Sequence, residues 1–303
     1  MAKVLARVAP WLPSARNGSR IRSGQHAGSL RILAREDTAA LRALADEDPV
    51  ANIFIASHLE TAGSAAPTVA GGQVVGAFDD GRLLSACWAG VNLVPVGVTA
   101  DTGPELGAWL ARSGRRFSSV FGPAEGVLSI WSELQHASPR PFAVRESQPL
   151  LQIDAPSPVA PAAGLRHTRP AELDVLLPAC TAMFEEEVGY SPVAGGDRHY
   201  RNRVRGLIQR GHSLAHITGD GEVVFKAELG TVSRDAVQIQ GVWMNPRYRG
   251  QGRSAGYMSA VVAAALEVAP RVSLYVNHYN ERARSLYAAV GFRQVGTFAT
   301  VLF

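Results

Sequence analysis

Cysteine is scarce in this chain: Cys87 and Cys180 are the only two among 303 residues. Two thiols so far apart provide neither a disulfide framework nor a zinc ligand set, so no metal site is expected. Long apolar runs are missing too. No stretch approaches the ~20 residues that cross a bilayer, and the alanine-rich segment after Ser259 is too short. The chain also lacks Gly-x-x-x-x-Gly-Lys-Ser/Thr and a complete Gly-x-Gly-x-x-Gly, which excludes a nucleotide P-loop and a Rossmann turn. Charged residues make up only 18% against 47% hydrophobic, a globular balance that excludes general disorder. A cytoplasmic location with no membrane partner is the expectation.

A net charge of +4 raises the question of nucleic acid. The excess is local: Lys3, Arg7, Arg16, Arg20 and Arg22 stand in residues 1–30 without an acid, leaving 25 bases against 26 acids. The remainder is nearly neutral, so no nucleic-acid partner is expected and residues 1–30 read as a flexible basic extension. A salt-sensitive nucleic-acid arm is the competing reading.

A chain of this length accommodates two domains of about 150 residues. Residues 31–153 alternate helical and strand patterns: helices over 50–60, 105–112 and 126–136, and strands over 73–78, 82–89, 93–98 and 117–121. Residues 154–164 hold three prolines and one charge and read as a linker. Residues 165–303 begin with helices over 170–187 and 196–209. They continue through strands at 213–218, 223–230 and 237–242, a helix at 252–268, a strand at 271–277, a helix at 281–289 and a hairpin at 292–303. The two halves share this rhythm, which suggests a duplication.

The chemistry concentrates in Arg249-Gly250-Gln251-Gly252-Arg253-Ser254, placed between a strand and a helix. A helix N-terminus offers unpaired N–H groups and the positive end of the macrodipole, both suited to phosphate. The glycines admit a bulky anion, the arginines add charge, and Ser254 can cap the helix or donate to phosphate. Taken alone, such a turn is equally a plain connection. Its context adds Asn280-Glu281-Arg282-Ala283-Arg284-Ser285-Leu286-Tyr287, then Gly291-Phe292, about thirty residues later.

These two segments together resemble the GNAT superfamily of acyl-CoA-dependent N-acyltransferases over residues 165–303. The first motif, Arg/Gln-x-x-Gly-x-Gly/Ala, aligns on Arg249, Gly252 and Ser254, with Ser254 departing from the usual small apolar residue. A second register, on Arg247, Gly250 and Gly252, fits the letters but shortens the loop after Pro246. The second motif matches at Asn280, Ala283, Tyr287, Gly291 and Phe292. The resemblance implies two tandem GNAT-like α/β (α+β) domains, each a mixed, mostly antiparallel sheet flanked by helices, as in actinobacterial tandem proteins with a degenerate first domain. Residues 31–153 carry neither motif; Phe121-Gly122-Pro123-Ala124-Glu125-Gly126 stands at the position that looks analogous, without an arginine.

By the same resemblance, acetyl-CoA is the donor and no metal is needed. Gly250, Gln251, Gly252, Arg253 and Ser254, with Arg249, would hold its pyrophosphate, and the strand ending Val242-Trp243-Met244 would pair with the pantetheine arm. Asn280 would cap the last helix and touch the cofactor. Tyr287 would protonate the leaving thiolate; a core tyrosine is the alternative from spacing alone. Glu228, alternating with apolar neighbours on a strand, would be a base with a raised pKa, or else a salt-bridge partner of Lys226 or an arginine. Glu185, Glu186, Glu187 and Tyr190 would lie at the mouth for the acceptor, a small-molecule amine or a protein or peptide amine. His216 and His278 are further candidates through a water chain. The expected function is direct acetyl transfer to an amine, with an acyl-CoA sensor lacking turnover as the alternative. Neither the acceptor nor the oligomeric state is legible.

Overall fold

The computed structural model describes residues 30–303, so the basic extension lies outside the described part. The chain divides into two compact units, residues 30–150 with Gly296–Phe303, and Leu151–Val295. Each is a mixed, mostly antiparallel sheet flanked by helices, and among the described residues no helix is long and apolar enough to cross a membrane.

The first unit contains β1 (Leu30–Ile32), α1 (Thr38–Asp46), α2 (Ile53–Ala62), β2 (Gln73–Asp79), β3 (Arg82–Ala89) and β4 (Asn92–Val96). It continues with α3 (Gly103–Arg112), β5 (Ser119–Pro123), α4 (Ala124–Leu134) and most of β6 (Ala143–Ile153). Strands β1 to β4 pair antiparallel in sequence order, whereas β4 and β5 run parallel with α3 as their crossover. Leu106 and Leu110 of α3 and Val127, Ile130 and Leu134 of α4 bury their apolar stripes with Leu93 and Val120.

The second unit contains β7 (Arg166–His167), α5 (Leu173–Val188), α6 (Arg198–Gln209), β8 (Ser213–Ile217), β9 (Val223–Val232) and β10 (Val237–Met244). After these come α7 (Ser254–Leu266), β11 (Val272–Tyr275), α8 (Glu281–Val290) and the start of β12 (Arg293–Leu302). Strands β7 to β10 form an antiparallel meander, and β10 and β11 run parallel with α7 between them. The core packs Val261, Val262 and Ala265 of α7 and Val290 of α8 onto Phe225, Leu229, Val237 and Ile239 of the meander.

Three expectations change. The hairpin at 292–303 is a single strand, β12, because the expected turn is continuous extended backbone. Its 298–302 portion pairs antiparallel with β5, so these last residues pack in the first unit. The proline-rich linker is fastened along its length to the second unit: Ser157 Oγ donates to Val290 O (2.7 Å), Ser259 Oγ to Val159 O (2.5 Å), and Ala162 N to Gly256 O (2.8 Å). Finally, residues 121–126 are not the counterpart of the Gly-rich turn. Since β4–α3–β5 repeats β10–α7–β11, that counterpart is residues 97–102, between β4 and α3.

Candidate functional site

Parallel pairing of β10 with β11 is confined to Val237↔Val272 and Gln238↔Ser273, after which the strands part. On its other side β10 remains bound to β9, but the register shifts between Gln240 and Trp243. The bulge falls on Gly241, whose φ of +59° is the left-handed region that favours glycine. A Cβ there would meet the Glu228 carboxyl carbon at 2.9 Å. The result is a strand end with one backbone edge free to receive an extended ligand.

The turn after β10 is built on Glu222. Its carboxylate accepts from Arg247 Nη1 (2.8 Å), Tyr248 OH (2.6 Å) and Asn245 Nδ2 (3.2 Å), while Asn245 Oδ1 accepts from Arg247 N (3.1 Å). Nothing in the sequence flagged Glu222, which stands more than twenty residues before the loop it organises. Gly250 and Gly252 follow with φ of +76° and +71°, and open space where a side chain would sit. The N–H groups of Gly250, Gln251, Gly252 and Arg253 donate to no backbone carbonyl among the described residues. Arg253 stacks over Tyr248 (5.6 Å to the centroid), and Ser254 opens α7, its Oγ 3.5 Å from Met244 Sδ. A parted strand, two unfilled glycines and unpaired N–H groups at a helix start together fit a pantetheine arm and a pyrophosphate.

Arg249 turns away from that cradle. Its Nε donates to Met244 O (2.8 Å) and its Nη2 meets both Glu186 oxygens (2.9 and 2.8 Å). Trp243 Nε1 donates to the same Glu186 carboxylate at 3.0 Å. Glu186, expected at the acceptor mouth, is thus held by Arg249 and Trp243, tying the end of α5 to the end of β10 and the turn after it. Glu185 and Glu187 stay exposed beside it at the end of α5, and Tyr190 packs edge-on to Phe184 at 5.4 Å.

Tyr287 on α8 is buried edge-on to Phe292 (5.9 Å), and its hydroxyl makes no hydrogen bond to any described residue. Burial, and then the charge of Glu187, push its pKa well above the ordinary phenol value. The Tyr287 hydroxyl is therefore held in its neutral, protonated form. Asn280 caps α8 as expected, its side chain accepting from Ala283 N at 3.1 Å.

Glu228 is corrected. Its carboxylate is 1% exposed and held between Lys226 Nζ (2.6 Å) and Arg203 Nη2 (2.9 Å), themselves 0% and 6% exposed. Burial would raise its pKa, but the two cations overcome this and bring it down to about 2. Such a group is a fixed anion and not a base with a raised pKa. His216 is also committed, with Nδ1 2.6 Å from the Tyr257 hydroxyl, and His278 is exposed. Among the described residues no cluster of His, Cys, Asp and Glu could hold a metal ion.

Residues 181–292 match the model of the acetyltransferase (GNAT) family, and residues 72–176 that of DUF4081, a domain of unknown function. An uncharacterized N-acetyltransferase of Mycobacterium tuberculosis is 38% identical over 79 residues, covering 26% of this chain and 51% of that relative. The chain thus spans about half the length of the curated relatives it matches. Among solved structures, a GCN5-related N-acetyltransferase from Sphaerobacter thermophilus is similar at a TM-score of 0.57 and 18% identity, over 90% of this chain and 94% of that one. A tandem GNAT protein from the clavulanic acid biosynthesis pathway is similar at 0.53 and 16%, over 89% and 98%. At these identities the structural likeness concerns the fold.

Proposed function

Because residues 181–292 match the GNAT acetyltransferase family model, we propose that this chain transfers an acetyl group from acetyl-CoA directly to an amine in a ternary complex. The observation that carries this reading is the parting of β10 from β11 after Gln238, leading into the Gly250–Gly252 turn at the start of α7. The edge of Val242, Trp243 and Met244 would pair with the pantetheine arm, and the N–H groups from Gly250 to Ser254 would take the pyrophosphate. When bound, acetyl-CoA supplies a thioester whose carbonyl carbon the amine nitrogen attacks as the carbon–sulfur bond breaks. Tyr287 gives its proton to the departing sulfur, and the proton that the acylated nitrogen releases restores the Tyr287 phenol directly or through water, so the transfer ends with free thiol, neutral amide and protonated tyrosine. The acceptor, a small-molecule or protein amine, must react uncharged at nitrogen, and in this reading it would enter past the exposed carboxylates of Glu185 and Glu187.

Incubating purified protein with acetyl-CoA and amine pools, with products identified by mass, tests the proposal. Acetylated product that requires Tyr287 supports it. Calorimetric binding of acetyl-CoA without product from any pool would replace it with an acyl-CoA sensor.

A further inference from the structure

The first unit repeats the arrangement just described but inverts its charge. Parallel pairing of β4 with β5 is confined to Asn92↔Ser119 and Leu93↔Val120, the same two-residue contact that precedes the parting of β10 and β11. Beyond it lies an open-sided pocket of about 330 Å³, lined by Glu47, Asp48, Ala51 and Asn52 from the α1–α2 turn and by Pro95 and Val98 at the end of β4. That volume is at the small end of ligand sites, about 300–1,000 Å³. Residues 97–102, the counterpart of the Gly-rich turn, read Gly-Val-Thr-Ala-Asp-Thr, with an acid and no cation. That turn has no cation to complement a pyrophosphate, and Asp101 would repel one.

We propose that this pocket binds a small organic cation, an alkylammonium. Glu47 and Asp48 follow the C-terminus of α1 and line the pocket together with Pro95 of the parted strand, as in the second unit Glu186 near the C-terminus of α5 meets Trp243 of β10. The carbonyl end of α1 adds its own negative potential. Glu47 has no ion-pair partner among the described residues. Asp48 uses only Oδ1, accepting from Val50 N (3.1 Å) and Ala51 N (2.9 Å). Asn52 supplies an independent indication. It is 6% exposed and turns its amide nitrogen to Leu44 O and Ala45 O (both 3.4 Å), while its Oδ1 accepts from no described residue. Two carboxylates and a spare amide oxygen form an acceptor-only lining, which suits a group that carries several N–H donors and positive charge. Pro95 and Val98 provide the apolar wall for its alkyl stem.

The test is titration of the full chain with 1,4-diaminobutane, followed by calorimetry and amide NMR. Saturable binding that shifts Ala51, Asn52 and Val98 is expected, with about tenfold weaker affinity in Glu47→Gln/Asp48→Asn, the scale of two exposed charge contacts. Glu47→Gln alone, which spares the Asp48 turn, should weaken binding by a smaller factor at unchanged Tm. A Glu185→Gln/Glu187→Gln variant should bind through this pocket unchanged. No saturable binding, equal binding of succinate, or loss only in the Glu185/Glu187 variant would overturn the proposal. Because the readout is binding without acetyl-CoA, it stands or falls apart from acetyl transfer.

Discussion

Glu186 grips Arg249 with both carboxylate oxygens, at 2.8 and 2.9 Å, across 63 residues of sequence. The same carboxylate receives the Trp243 indole, so one side chain at the end of α5 braces the parted strand and the loop that follows it. Glu186→Gln should loosen both. The pair is partly exposed, 35% and 47%, and such pairs contribute under about 1 kcal/mol. The KM for acetyl-CoA should therefore rise by about threefold, with kcat and the acceptor KM nearly unchanged. A KM for acetyl-CoA that stays at the wild-type value would show that the brace does not serve the donor.

Tyr287→Phe removes a hydroxyl that bonds to no described residue. Stability should change by less than about 1 kcal/mol, since no hydrogen bond is lost. Turnover should fall by about 100-fold or more if the hydroxyl protonates the leaving sulfur. Steady-state rates at saturating acetyl-CoA decide this, and an undiminished kcat would remove the acid role.

Glu228→Gln leaves Lys226 and Arg203 buried around a neutral amide. Breaking such a network costs about 3–5 kcal/mol. The native carboxyl sits at about 2 against an ordinary 4.5, so its ionised form contributes stability that is present above pH 4.5 and is lost as pH falls toward 2. Urea midpoints measured from pH 7 to 2.5 should fall less steeply below pH 4.5 in the variant. Parallel pH curves would contradict the assignment of Glu228 as a fixed anion.

Gly241→Ala puts a methyl group against Glu228, 2.9 Å from its carboxyl carbon, at a φ of +59°. The left-handed conformation alone costs about 1–2 kcal/mol for a non-glycine residue. The bulge should flatten, lowering both Tm and acetyl-CoA affinity, the latter by about tenfold on calorimetry. Retained affinity with a lowered Tm would mean the bulge serves stability alone.

The helices of the second unit were legible within a few residues because their apolar stripes are local. The stretch expected as 252–268 is α7, Ser254–Leu266, and that expected as 281–289 is α8, Glu281–Val290. The strand β6 was overlooked because Arg145, Glu146, Ser147 and Gln148 interrupt its apolar pattern. The hairpin expected over 292–303 is instead one strand whose end pairs with β5, a pairing set by residues far away in sequence.

By itself the sequence determined the turn at 249–254, the cap at Asn280 and the place of Tyr287, because each depends on residues within one or two turns of itself. Backbone conformation at a glycine and the capping of a helix are short-range matters. Only the tertiary structure decided that Glu228 is a pinned anion, that Glu186 is bound to Arg249, and that residues 296–303 pack with the first unit. A carboxylate's charge state follows from its burial and from partners at long range. Arg203 reaches Glu228 from 25 residues away, and nothing in the local pattern of β9 announces it.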